Sequence, residues 1–304
     1  MASSDTTARE ALTKRQVPSM ILSDGSPSSM TASPAPPPST TTPQEAAASR
    51  FSITGNAVVT GGAGTLGLEA CKALLEHGLS GLLILDMNPS TSETEINALK
   101  ARFPDAKIYA EKVDITDEVA VDEAFTQASE LLGSVDILLC FAGIVGCADA
   151  LTLPIPSFRN VLDVNTTGSF ICAQSAAQRM IAQGTGGSIT FIASISAHRV
   201  NYPQPQIAYN VSKTGILMLK NCLAAEWARY GIRTNSISPG YMDTILNEGD
   251  GLDVHRRVWA ERNPFGRMGV PRELAGAVIL LSSREAGGYI NGADLVVDGG
   301  GVVF

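Results

Sequence analysis

A chain of 304 residues, 44% hydrophobic and 17% charged, holds enough apolar material for a substantial core in one large domain or two small ones. Its formal net charge of -8 argues against a general nucleic-acid surface, which needs clustered Lys and Arg. It leaves room for a nucleotide cofactor, because backbone N–H groups at the start of a helix can hold a pyrophosphate.

The five cysteines (Cys71, Cys140, Cys147, Cys172 and Cys222) are scattered and form no C-x-x-C pair, which suits free thiols in a reducing compartment. His77, His198 and His255 lie far apart, with no cluster of zinc-ligand spacing, so no metal site is expected. No apolar run approaches the roughly 20 residues that span a bilayer. Residues 1–50 are rich in Ser, Thr, Pro and Ala and are expected to be a disordered, solvated tail, since such a composition cannot offset chain entropy by burial. No secretory h-region is visible. Arg9, Lys14 and Arg15 would suit a mitochondrial presequence, but Asp5, Glu10 and Asp24 argue against one, so a cytoplasmic location is expected.

From residue 51 the pattern alternates between strands and helices, which predicts a single α/β domain: a doubly wound Rossmann fold with a mainly parallel central sheet and helices on both faces. The β-branched run Ala57-Val58-Val59-Thr60 predicts the first strand. A glycine-rich turn follows, Gly61-Gly62-Ala63-Gly64-Thr65-Leu66-Gly67. A helix comes next, with apolar residues at 70, 71, 74 and 75 and a stop at Gly78. Leu82-Leu83-Ile84-Leu85 is the second strand and ends in Asp86. Strand, glycine turn, helix, strand and acid together make a dinucleotide site. The glycines let the backbone approach the pyrophosphate, the helix start supplies N–H donors, and the acid binds the adenosine ribose hydroxyls. Asp86 would repel a 2′-phosphate, and neither Gly61 to Gly67 nor Met87-Asn88 contains a basic residue, so NAD is expected rather than NADP.

Further along, Ser188-Ile189-Thr190-Phe191-Ile192 reads as a buried strand, with Ala193-Ser194-Ile195-Ser196 at its C-terminal end, where α/β sheets place ligands. After a loop containing Pro203 and Pro205, Tyr209-Asn210-Val211-Ser212-Lys213 opens a helix. Tyr209 and Lys213, four residues apart, share one face of it.

The Y-x-x-x-K pair, the upstream serine and the glycine turn resemble the short-chain dehydrogenase/reductase family over residues 51–304. Asp114 resembles the family's adenine-contacting acid, Asn165 its catalytic asparagine, and Pro239-Gly240-Tyr241-Met242-Asp243-Thr244 its nicotinamide-side turn. Tyr289-Ile290-Asn291-Gly292 and Val297-Asp298-Gly299-Gly300 resemble its final strand. The resemblance implies an NAD(P)-dependent enzyme interconverting a secondary alcohol and a ketone, with Ser194, Tyr209, Lys213 and Asn165 catalytic. The cofactor would lie on Gly61, Thr65, Leu66, Gly67, Asp86, Asp114, Ala142, Gly143, Tyr209, Lys213, Pro239 and Thr244. A free phenol titrates near ~10, so the Lys213 ammonium and the oxidised nicotinamide would have to favour the phenolate for Tyr209 to act as base. The serine would hydrogen-bond the substrate oxygen, Lys213 would also hold the nicotinamide ribose, and Asn165 would help organise a proton-relay water. Counting along the strand end selects Ser194 as the catalytic serine; counting back from Tyr209 selects Ser196. The resemblance also implies a homodimer or homotetramer, built through the helices carrying Asn165 and Tyr209.

Two departures stand out. Thr65 occupies the position of the middle glycine in the turn, and the family's N-N-A-G segment is here Cys140-Phe141-Ala142-Gly143. Cys140 is expected to be a buried small apolar residue. Within the family, Ser196 to Gln206, Thr244-Ile245-Leu246-Asn247-Glu248 and Arg262 to Gly269 resemble NAD-dependent sugar-alcohol dehydrogenases of the D-arabinitol 2-dehydrogenase type. That implies a polyol such as D-arabinitol and its ketose as substrates, with His198, Gln204, Gln206 and Asn247 as candidate polar contacts. The alternatives are a carbonyl reductase of lipid or secondary metabolism on the same fold, and a non-catalytic NAD-binding protein.

Overall fold

The computed structural model describes residues 12–34, 38, 41–244, 247 and 250–303. Asp5, Arg9 and Glu10 of the tail, five positions of the Pro-rich stretch before Thr41, and Ile245, Leu246 and Glu248 of the motif after Thr244 lie outside the described residues. Among the described residues no helix is long and apolar enough to cross a membrane.

Seven strands form one parallel sheet in the order β3-β2-β1-β4-β5-β6-β7. They are β1 (Asn56–Thr60), β2 (Gly81–Asp86), β3 (Lys107–Lys112), β4 (Ile137–Cys140), β5 (Gly187–Ile192), β6 (Ile232–Pro239) and β7 (Asp294–Val297). The central strands are apolar on both faces because helices cover both. Leu82, Leu83, Ile84 and Leu85 are all buried, as a doubly wound sheet requires. Strand order reverses between β1 and β4, whose register pairs Val58 with Leu138 and Thr60 with Cys140. That reversal opens a crevice at the C-terminal strand ends.

Two cores result. On one face α2 (Thr65–Glu76), α3 (Glu93–Arg102) and α9 (Ala275–Ser282) pack with Val59, Leu82 and Ile237. On the other, α4 (Glu118–Leu132), α6 (Ser169–Gln183) and α7 (Ile207–Trp227) pack with Val58, Leu83 and Phe191. Helix α5 (Ile155–Leu162) runs into α6 through a π-helical turn, Asp163–Gly168. Gly168 allows that turn to lie close to the loop after β3, since a Cβ there would sit 2.8 Å from the Ile115 side chain.

Helix α1 (Pro43–Arg50) falls within the segment whose composition predicts a tail. Thr42 and Glu45 close a reciprocal capping box at its start, with Thr42 N donating to Glu45 Oε2 (2.8 Å) and Glu45 N to Thr42 Oγ1 (3.3 Å). Its end is tied to the loop after α9: the Arg50 carbonyl accepts from Ser283 Oγ at 2.7 Å and from Ala286 N at 3.1 Å. Helix α8 (Asp253–Glu261) carries Trp259 over the C-terminal ends of the strands.

Candidate active site

The turn after β1 is shaped by close approaches that only glycine permits. Gly61 has φ +64°, and a Cβ on it would sit 2.5 Å from the Ala142 nitrogen. A Cβ on Gly67 would sit 2.3 Å from the Gly61 oxygen. The turn therefore lies flat on the end of β4 and presents bare backbone outward. The first helical bond of α2 runs from Leu68 N to Gly64 O at 2.8 Å, which leaves the amides of Thr65, Leu66 and Gly67 as the open donors of a helix start. Thr65 opens that helix in ordinary right-handed backbone; among the described residues no non-glycine has positive φ. The cradle thus suits a dinucleotide pyrophosphate without the middle glycine.

Asp86 ends β2 beside this turn. Its Oδ2 accepts from Ala63 N (3.2 Å) and its Oδ1 from Asn88 N (3.0 Å). Asp114 follows β3 on the same rim, its Oδ1 accepting from Thr116 N (2.9 Å) and Thr116 Oγ1 (2.7 Å). Ala142 lies against Gly61, and Gly143 stands between two candidate side chains: a Cβ on it would be 3.1 Å from Asn165 Oδ1 and 3.6 Å from Lys213 Nζ. Pro239 ends β6, where Gly240 N donates to Val297 O at 3.0 Å, and Thr244 is buried just beyond.

Asn165 sits on the π-turn and is fully buried. Its Oδ1 accepts from Ile144 N (2.8 Å), and its Nδ2 donates to Ile144 O (2.9 Å) and Ser212 Oγ (3.0 Å). Ser212 Oγ in turn donates to the Tyr209 carbonyl at 2.8 Å. The asparagine side chain therefore braces the loop after β4 against α7.

Lys213 reaches down from α7 and donates to the Ile192 carbonyl at 2.7 Å, with its Nζ 5.6 Å from the centre of the Tyr209 ring. Burial pushes its ammonium down to about 8. Burial also raises the Tyr209 phenol; a hydrogen bond with Ser194 works against that rise, and neighbouring Tyr241 adds to it. Ser194 closes β5 in extended backbone, accepts from Ser196 N (3.1 Å) and donates to Ser196 Oγ (3.0 Å). Of the two serines, Ser194 is the one whose hydroxyl works against the rise of the Tyr209 phenol. Cys140, under this cluster, is buried, and desolvation holds its thiol well above the usual range.

The outer polar residues divide. Gln204 and Gln206 are buried in the wall: Gln204 Nε2 donates to Tyr241 Oη (3.1 Å), and Gln206 Nε2 donates to Cys147 Sγ (3.2 Å). Asn247 Nδ2 bonds the Met242 carbonyl at 2.8 Å. His198 is turned away, with Nε2 2.9 Å from Asp294 Oδ2 and 3.2 Å from Ser238 Oγ, which joins its loop to β6 and β7. Its expected place among the polar contacts is thereby corrected: a carboxylate on the neighbouring strand competes for it. Sequence reasoning passed over Ser212 and Trp259. Ser212 gave no signal. Trp259, the single large aromatic of its helix, was a visible one.

Comparison with known proteins agrees with this architecture. A family model described as Enoyl-(Acyl carrier protein) reductase matches residues 61–301. A D-arabinitol 2-dehydrogenase [ribulose-forming] of Scheffersomyces stipitis is 36% identical over 264 residues, covering 82% of this chain and 95% of the relative. An NADP-dependent mannitol dehydrogenase of Hypocrea jecorina is 34% identical over 254 residues, covering 82% and 93%. The crystal structure of a short-chain type dehydrogenase/reductase from Mycobacterium marinum superposes with TM-score 0.79 at 33% identity, covering 84% of this chain and 98% of that one. The chain belongs to the short-chain dehydrogenase/reductase family, whose members are NAD(P)-dependent oxidoreductases acting on CH–OH groups.

Proposed function

We propose that this enzyme interconverts a secondary alcohol of a polyol, such as D-arabinitol, and its ketose, using NAD, with Ser194, Tyr209, Lys213 and Asn165 as its working residues. The observation that carries the reading is the convergence of Tyr209, Ser194 and Lys213 at the C-terminal end of β5, with Asn165 across Gly143 from Lys213.

The dinucleotide would rest on Gly61, the open amides of Thr65, Leu66 and Gly67, and Asp86, and near Asp114, Ala142, Gly143, Pro239 and Thr244; when bound, its oxidised nicotinamide supplies a hydride acceptor. Tyr209 takes the hydroxyl proton during oxidation and returns it during reduction. A buried phenol holds its proton tightly, so a nearby positive charge is needed, and the Lys213 ammonium supplies one. With one Lys213 N–H spent on Ile192 O, the others would hold the nicotinamide ribose. The Ser194 hydroxyl, a rotor, exchanges its bond with Ser196 Oγ for one to the substrate oxygen. Asn165 keeps the loop after β4 and the start of α7 in register around a relay water.

Asp86 supports NAD: a carboxylate at the ribose position, with no basic residue in the turn, disfavours a 2′-phosphate. The polar wall of Asn201, Gln204 and Tyr241 supports a polyol, as do the D-arabinitol and mannitol dehydrogenases among the relatives. Exposed Ile207, Val211 and Met218 on α7 support a homodimer or homotetramer, and the free cysteines support the reducing cytoplasm. The test is turnover of D-arabinitol with NAD by the wild type and Tyr209→Phe. A loss of about 10²- to 10⁴-fold in kcat, with NAD still bound, is expected. Undiminished turnover in the variant would remove Tyr209 from the chemistry.

A further inference from the structure

Tyr241 is held more tightly than a wall residue needs to be. Its ring stacks on Trp259 with centroids 4.2 Å apart and planes 6° from parallel. Its hydroxyl oxygen accepts from Asn201 Nδ2 at 2.9 Å and from Gln204 Nε2 at 3.1 Å. Gln204 is itself fixed, its Oε1 accepting from Trp259 Nε1 at 3.1 Å. Two donors occupy the acceptor side of the Tyr241 oxygen, so its own proton is left to point elsewhere. The other end of the Asn201 amide is the complementary case: its Oδ1 is buried and has no hydrogen-bond partner among the described residues. A buried acceptor without a partner costs stability unless something fills it.

Both side chains line one narrow cleft of about 10 Å³, room for a single water-sized group, together with Trp259, Arg262 and Ile195. Ile195 directly follows Ser194, whose hydroxyl works against the rise of the Tyr209 phenol. The cleft wall thus begins one residue from Ser194, and it carries one donor and one acceptor a single amide apart. A hydroxyl group is both acceptor and donor, and matches that pair. An alkyl chain would leave both ends unpaired.

We propose that the Tyr241 hydroxyl and the Asn201 amide oxygen form a binding site for a second hydroxyl of the substrate, beyond the carbon being oxidised, and so select polyols over simple secondary alcohols. The inference rests on the polyol reading and assigns its selectivity to these two residues. The trapped amide and the stacked ring keep the pair in place before substrate arrives, so little ordering accompanies binding.

The experiment compares kcat/KM for D-arabinitol and for 2-butanol in the wild type and in Tyr241→Phe, which removes the hydroxyl and keeps the stack on Trp259. The ratio of the two is expected to fall about tenfold in the variant, through a higher KM for D-arabinitol, while NAD binding followed by fluorescence persists. An unchanged ratio, or equal losses on both alcohols, would overturn the proposal and leave the polyol reading intact. A wild type that oxidises 2-butanol but no polyol would remove the polyol reading and the proposal together. Should Tyr241→Phe fail to fold, Asn201→Ala removes the acceptor, and the same ratio decides.

Discussion

Lys213 shows how one residue ties stability to chemistry. Its ammonium is buried with the Ile192 carbonyl as partner, and burial lowers its pKa from 10.5 to about 8. Below pH 8 folded and unfolded chains both hold the proton, and the desolvation penalty is present in full. Between 8 and 10.5 the unfolded chain holds it and the folded chain releases it, so stability rises with pH across that window. Urea unfolding of wild type and Lys213→Met at pH 7.5 and 9.5 should show the difference between them moving in favour of the wild type at the higher pH; a difference that stays constant would contradict the buried cation. Asp86 makes a second prediction at this scale. Asp86→Ser should shift the NADP:NAD ratio of kcat/KM upward by about tenfold, with weaker NAD binding, because the bonds to Ala63 N and Asn88 N are weakened as well. A ratio unmoved in steady-state assays would show that the carboxylate does not read the ribose. Residues of this kind were legible in the sequence because their chemistry is tied to spacing: Tyr209 and Lys213 share a helix face, and Asp86 ends a strand. The choice between Ser194 and Ser196 was not legible, since it depends on which hydroxyl the loop turns toward Tyr209. The engagement of His198 with Asp294 was hidden for a similar reason, because those residues meet only when β7 joins the sheet.

At the scale of elements, the turn between β1 and α2 separates glycines that the structure requires from those it tolerates. Gly67→Ala would drive a Cβ to 2.3 Å from the Gly61 oxygen and 2.7 Å from Gly62 Cα, both backbone atoms that cannot yield. It should destabilise the fold by about 1–3 kcal/mol and abolish NAD binding. Gly64→Ala, at φ -74° with its one contact at 3.3 Å, should keep both to a large degree. Thermal unfolding with and without NAD checks the pair, and equal behaviour would mean the turn is not the rigid cradle described. The elements with plain periodicity and punctuation, β1, α2, β2, β5 and the start of α7, were readable from the chain. The π-turn that carries Asn165 was not, because its Gly168 packs against Ile115, more than fifty residues earlier, a contact made only in the folded chain. Helix α1 was likewise masked by a composition that favours disorder; a capping box and two bonds to the loop after α9 hold it.

For the whole molecule, the doubly wound topology does the positioning. Strand order reverses between β1 and β4, and the turn, Asp86, Gly143, Ser194 and Pro239 all come from C-terminal strand ends on that side of the sheet. Alternating strands and helices made that architecture legible from the sequence. The proposed substrate wall was less so, because Asn201, Gln204, Tyr241 and Trp259 come from three separate segments that only the folded chain brings together. The proposed reaction of this site is NAD-linked oxidation of a polyol. Its most direct test is a spectrophotometric assay of the purified protein with NAD and with NADP against D-arabinitol, other polyols and simple secondary alcohols. NAD reduction with a pentitol, favoured over NADP and lost in Tyr209→Phe, is the expected result; turnover with NADP alone, or of simple alcohols and no polyol, would contradict the proposed reaction.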